Sequence, residues 1–186
     1  MIKIGLDLDN CIFDSEPIYK QAFEGTKYSY FLPTTYMLKD TYPEEVVNKL
    51  SQLFATELTY NTKPYDITLA SYINDLIYSK KCEFHVITAR KSLNDPKIDS
   101  YNQLQKYNYQ IPLSNIYITT FNKIPIILKY NLDYMIDDNP HVIEDCLSTN
   151  TIPILLSNEK TLYNHYLRKK VIFYTKVKDA LKNIIH

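Results

Sequence analysis

The sequence predicts an α/β fold: an open parallel sheet flanked by helices, with a helical insertion after the first strand. Three observations carry this expectation. Short aliphatic runs recur along the chain, single helix-length amphipathic segments separate them, and polar residues stand directly after several of the runs. Strands separated by single helices pair in parallel, because parallel neighbours need crossover connections. In such sheets ligands sit at the carboxyl ends of the strands, so residues just after strands are inspected first for chemistry.

Ile2, Ile4, Leu6 and Leu8 alternate and predict a buried first strand, with Asp7 and Asp9 where the apolar pattern stops. From Ser15 to about Tyr60 the pattern is helical. Thr41-Tyr42-Pro43-Glu44 reads as a capping box, followed by Val46, Val47, Leu50, Leu53, Phe54 and Leu58 on one stripe. Asp66 is placed to cap a helix carrying Ile67, Ala70, Ile73, Leu76 and Ile77, and Phe84 to Thr88 reads as the second strand. The alternation continues with a helix over 96–107, a strand over 116–119, a helix over 124–130 and a strand over 134–136. A helix over 141–147, a strand over 152–155, a short helix, a strand over 171–174 and a C-terminal helix complete it.

The chain of 186 residues suits one compact core with a small insertion. Hydrophobic residues at 45% allow a packed interior. Lys+Arg and Asp+Glu number 21 each, so no general charge draws the chain to nucleic acid or anionic lipid, and a nucleic-acid partner is not expected. No apolar stretch approaches the ~20 residues of a membrane span, and the first residues lack a signal-peptide pattern, so a cytoplasmic protein is expected. Cys11, Cys82 and Cys146 show no CxxC spacing, which argues against structural zinc or a disulfide framework. Only two glycines are present, and neither a GxGxxG fingerprint nor a Walker-type loop occurs. His85, His141, His165 and His186 do not cluster in sequence. A phosphate, if held, must be held by other groups.

Four polar features fall at predicted strand ends: Asp7 with Asp9, Thr88, Lys123, and Asp137 with Asp138. Two pairs of carboxylates brought to one edge repel, and a hard divalent cation such as Mg2+ offsets that repulsion while bridging to a substrate phosphate. Lys123 and the Thr88 hydroxyl complete a phosphate cradle without a glycine loop.

These residues in this order resemble the haloacid dehalogenase superfamily of phosphotransferases. Asp7-Leu8-Asp9-Asn10-Cys11 is similar to its first motif, Ile87-Thr88-Ala89-Arg90 to its second, Lys123 to its third, and Ile136-Asp137-Asp138-Asn139-Pro140 to its fourth. The stretches DLDN and HVITAR, and the spacing of Lys123 ahead of IDDNP, look most like the 5′(3′)-deoxyribonucleotidase and type C 5′-nucleotidase members. The resemblance implies a Rossmann-like core over 1–14 and 64–186 with a small helical cap over 15–63. It implies Asp7 as nucleophile, Asp9 as general acid and base, and Thr88, the backbone at Ala89 and Lys123 as phosphate ligands. It further implies Mg2+ held by Asp7, the Asp9 carbonyl and Asp138 with Asp137 beside it, the division between Asp137 and Asp138 staying open. Asn10-Cys11 departs from the commoner Gly-Thr or Gly-Val and makes the turn there less permissive.

The expected function is therefore Mg2+-dependent hydrolysis of a small phosphorylated substrate, a nucleoside monophosphate first. Aromatic residues of the insertion, Phe23 and Tyr28 to Phe31, are candidates for a wall that stacks on a base. Alternatives are a phosphatase or phosphotransferase for another metabolite such as a sugar phosphate, a polynucleotide 3′-phosphatase, and a binding protein without catalysis. Asp9 favours phosphate esters over carbon–halogen bonds, because the dehalogenases that name the superfamily lack this acid.

Overall fold

A computed structural model of the chain describes residues 1–26, 42–119, 122–156 and 170–185, apart from the side chains of residues 57 and 58. The strands are β1 (Ile2–Leu6), β2 (Cys82–Thr88), β3 (Ile116–Ile118), β4 (Tyr134–Asp137), β5 (Ile152–Leu156) and β6 (Ile172–Tyr174). They form one six-stranded parallel sheet in the order β3-β2-β1-β4-β5-β6. The helices between strands are α4 (Leu69–Tyr78), α5 (Pro96–Lys106), α6 (Ile124–Tyr130) and α7 (Pro140–Cys146), with α8 (Val177–Ile185) after the last strand. Chain order reverses direction at β1, so β1, β2 and β4 are neighbours and their carboxyl ends meet in a single crevice.

Both faces of the sheet are covered. Ile4, Leu6, Val86, Ile136 and Ile154 enter one apolar cluster with α4 and α8, while Ile87 and Met135 enter another with Ile127, Val142 and Cys146. The strand period of two sends Val86 and Ile87 to opposite faces, and both are buried, as a sheet covered on both faces requires. At the centre, Gly5 pairs between β2 and β4, and a Cβ there would lie 2.5 Å from Met135 Sδ, so one of the two glycines marks a close approach.

The insertion contributes α1 (Glu16–Phe23), α2 (Glu44–Phe54) and α3 (Glu57–Asn61). Ile18, Tyr19, Ala22, Phe23, Val46 and Leu50 form a separate apolar cluster, so α1 and α2 pack on each other, while α3 lies against α5. The arms leading into and out of the insertion lie side by side: Asp14 N donates to Lys63 O and Tyr65 N to Ile12 O. Among the described residues no helix is long and apolar enough to cross a membrane.

Several local expectations are corrected. Pro43, not a Thr41 hydroxyl, stands at the N-cap of α2 with no side-chain cap bond, and Thr41 lies outside the described residues. The stripe to Leu58 is cut after Phe54, where the Thr56 hydroxyl donates to Leu53 O and a new helix begins at Glu57. Asp66 does not cap its helix directly. It accepts from Thr68 N at 2.8 Å and the Thr68 hydroxyl at 2.7 Å, a turn that delays α4 to Leu69. The short helix expected between β5 and β6 lies outside the described residues.

Candidate active site

Asp7 follows β1 directly, and its N–H donates to Ile136 O at 3.1 Å, which continues the pairing with β4. Beyond it the chain turns sharply at Asn10, whose φ of 57° is left-handed. Asparagine is the side-chain-bearing residue that tolerates this region best, so it meets the need a glycine ordinarily fills. Ile12 N and Phe13 N both donate to Leu8 O and close the turn.

The carboxyl ends of β1, β3 and β4 converge on one ammonium. Lys123, at the start of α6, is 4% exposed and donates to the Asp7 carboxylate and, at 2.7 Å, to Asp137 Oδ2. Lys129, the other lysine of the same segment, is exposed with its ammonium over the Tyr130 ring. Asp137 is fully buried, and its second oxygen accepts from Asn139 N at 2.8 Å. Asn139 in turn caps α7 by accepting from His141 N, with Pro140 at the first helical position. The IDDNP stretch thus divides its labour: Asp137 braces Lys123, Asn139 starts a helix, and Asp138 turns toward Asp7.

The carboxyl oxygens of Asp7 and Asp138 and the Cys11 sulfur all lie within 4.8 Å of one another. Asp137 does not join them, since both its oxygens are engaged elsewhere. Burial pushes the Asp7 carboxyl up to about 7, with Lys123 pulling it down and the Asp137 and Asp9 charges pushing it further up. Burial, then Asp138 and Asp7, hold the Cys11 thiol well above its ordinary range. Lys123 is raised: burial opposes its charge, but Asp137 and Asp7 outweigh burial.

Thr88 ends β2 and is buried at 1% exposure, and its carbonyl accepts from Thr119 N at 3.0 Å. Ala89 follows it, half-buried. Asp9 stands apart from the lysine. Arg90 Nε donates to its Oδ2 at 2.9 Å and Nη2 to its Oδ1 at 2.8 Å, a two-pronged clamp to which the Ser15 hydroxyl adds a third bond. No role for Arg90 was read from the sequence, although its position two residues past Thr88 at a strand end is the signal that places it on the same edge.

Of the aromatic wall, Phe23 is packed inside the insertion, 5% exposed with its ring 4.7 Å from that of Tyr42. Its ring fills the helical core and is not a face for a base. Tyr28 and Phe31 lie outside the described residues.

The donor set fits a small divalent cation. Asp7 and Asp138 offer oxygens, and the carboxylates of Asp7, Asp9, Asp137 and Asp138 exceed the charges of Lys123 and Arg90 by two. A pH prediction follows. Asp7 is raised from 3.8 to about 7, so in metal-free protein the folded state keeps a proton that the unfolded state has lost. Stability from this group is therefore greatest below the unfolded value and falls as pH rises toward 7. A cation that binds the ionised carboxyl competes with that proton. Magnesium is expected to raise the thermal midpoint more at pH 7.5 than at pH 5.5, each relative to chelator; equal shifts would sink this account.

The sequence matches no protein-family model and no curated protein. Solved structures do resemble it. A haloacid dehalogenase-like family hydrolase from Streptococcus pneumoniae is 11% identical, with 99% of this chain and 98% of that one covered at a TM-score of 0.65. A predicted phosphatase from Clostridium acetobutylicum is 15% identical, with 98% and 97% covered at 0.64. A β-phosphoglucomutase-like protein from Thermotoga maritima is 13% identical, with 99% and 100% covered at 0.54. The fold is the haloacid dehalogenase-like α/β fold.

Proposed function

We propose that this protein is a divalent-metal-dependent phosphomonoesterase that works through an aspartyl-phosphate at Asp7. The observation that carries the reading is the juxtaposition of a buried Asp7, held by Lys123, with Asp138 beside it and Asp9 two residues further on. An Asp7 oxygen attacks phosphorus and the bond to the leaving oxygen breaks, with Asp9 giving that oxygen a proton. Asp9 then takes a proton from the water that attacks the phosphoryl group on Asp7, releasing phosphate and restoring the carboxylate. Lys123, the Thr88 hydroxyl and the backbone at Ala89 offer positive charge and donors to the phosphoryl oxygens. Asp7 and Asp138, with the Asp9 carbonyl, would hold magnesium, which when bound would supply positive charge to offset the carboxylates and the phosphate. Asp137 acts as the brace of Lys123.

As substrate we rank nucleoside monophosphates first, on the similarity of DLDN, HVITAR and IDDNP to nucleotidase motifs. A sugar phosphate is the second reading. It is supported by the β-phosphoglucomutase-like neighbour. The test is phosphate release from nucleoside monophosphates, sugar phosphates and an aryl phosphate, with magnesium and with chelator. Magnesium-dependent turnover is expected, concentrated in one class; turnover that ignores chelator, or none of any ester, would overturn the reading.

A further inference from the structure

Arg90 is an expensive residue to bury. Its side chain is fully excluded from solvent, yet a guanidinium carries a permanent charge and five donors that must all find partners. For stability alone, apolar packing of similar volume serves as well or better. The partners point to a different purpose.

Nε and Nη2 grip the two oxygens of Asp9, and Nη1 donates to Gln103 Oε1. The Phe13 and Tyr60 rings lie 5.3 and 5.4 Å from the guanidinium carbon and fix its plane. Gln103, 2% exposed, passes the contact on: its Nε2 donates to Thr59 O at 3.2 Å, Thr62 O at 3.0 Å and Thr62 Oγ1 at 3.1 Å. Thr59, Tyr60 and Thr62 belong to the end of the insertion and its returning arm, and Phe13 to the outgoing arm. Polar contacts therefore run without a break from Asp9 through Arg90 and Gln103 to the end of the insertion at Thr59 and Thr62, and the Phe13 ring adds an apolar contact from the outgoing arm.

The bonds on Asp9 are unequal. Oδ1 accepts twice, from Arg90 Nη2 and from the Ser15 hydroxyl, whereas Oδ2 accepts once, from Arg90 Nε. A carboxyl oxygen has about two acceptor sites. Oδ2 is thus the oxygen with room for the transferable proton.

We propose that Arg90 is the positioning residue for Asp9: it orients the carboxyl so that Oδ2 delivers the proton to the leaving oxygen, and Gln103 ties that orientation to the seating of the insertion. This rests on the phosphomonoesterase reading above. In the step concerned, the Asp7–phosphorus bond forms, the bond from phosphorus to the leaving oxygen breaks, and the Oδ2 proton moves to that oxygen.

The test uses dependence on the leaving group. An alkyl alcohol needs a proton as it departs, while p-nitrophenolate departs with little help. The quantity kcat/KM reports the steps through phosphorylation of Asp7 and excludes the later hydrolysis. Arg90→Lys keeps the charge but loses the fork. It is expected to lower kcat/KM about 30- to 100-fold for the best alkyl phosphate of the substrate panel and less than about 3-fold for p-nitrophenyl phosphate. Equal losses for the two esters, or no loss for either, would overturn the proposal and leave Arg90 a structural residue. If Arg90→Lys does not fold, Gln103→Met, which frees the guanidinium from its tie while keeping Arg90, decides with the same two esters. A loss of about 5-fold or more confined to the alkyl phosphate supports the proposal, and a uniform change or none overturns it. A wild-type protein that hydrolyses neither ester removes the phosphomonoesterase reading itself, an outcome distinct from uniform loss in a variant of an active enzyme.

Discussion

Asp7→Asn is expected to lower phosphate release by about 10⁴-fold or more on every ester, while the protein stays folded. The amide keeps the shape of the carboxyl but has no nucleophilic oxygen and weaker affinity for a cation. The structure explains why the fold survives. Asp7 is a buried carboxyl pushed up to about 7, so its ionised form is a burden on the folded state at neutral pH, and a neutral amide removes that burden. Lys123 keeps Asp137 as a counter-charge. The expected pattern is a catalytic loss with an unchanged or higher thermal midpoint in chelator, and a smaller stabilisation by magnesium than in the wild type. Residual activity within tenfold of wild type would move the nucleophile elsewhere; loss of activity through unfolding would show in the melting curve.

What the sequence made legible, and what it did not, divides along physical lines. Short apolar stretches revealed the strands, with Ile4 and Leu6 alternating in β1 and Val86-Ile87 adjacent in β2, and Asp7, Thr88 and Asp137 marked their carboxyl ends. The parallel order could be expected from single-helix crossovers. The division between Asp137 and Asp138 could not be, because adjacent residues diverge at a strand end and only the position of Lys123 shows which of them it engages. Arg90 was missed for a related reason: its partners Asp9 and Gln103 are remote in sequence, and a buried chain of polar contacts has no period to read. Phe23 was misjudged because aromatic residues are abundant in this chain, with 18 tyrosines and 7 phenylalanines, and composition says nothing about which ring fills a core. Asn10 reads in sequence as a restriction on the turn, whereas its positive φ makes it the working substitute for glycine.

Lys123→Met is expected to cost about 3–5 kcal/mol of folding stability, the largest effect on stability expected from a single change at this site. Methionine fills similar space, so the loss is electrostatic: it leaves Asp7 and Asp137 facing one another, 6% and 0% exposed, with no cation between them. The pH dependence separates this account from simple loss of packing. In the wild type Lys123 is raised above its ordinary value, so its contribution is fully present below the unfolded pKa of about 10.5 and is lost only as pH rises through the folded value. In the variant, the group that held Asp7 down is gone, and its carboxyl rises further above 3.8. Protonation at low pH then relieves the repulsion in the folded state. Denaturant midpoints measured against the wild type should show a deficit that is large at pH 8 and smaller at pH 5. Combining Lys123→Met with Asp137→Asn should recover about half or more of the deficit at pH 8, because the second change removes one of the stranded charges. A deficit that is the same at both pH values, and that the second substitution only deepens, would mean that Lys123 acts through packing and that the two carboxylates do not depend on its charge.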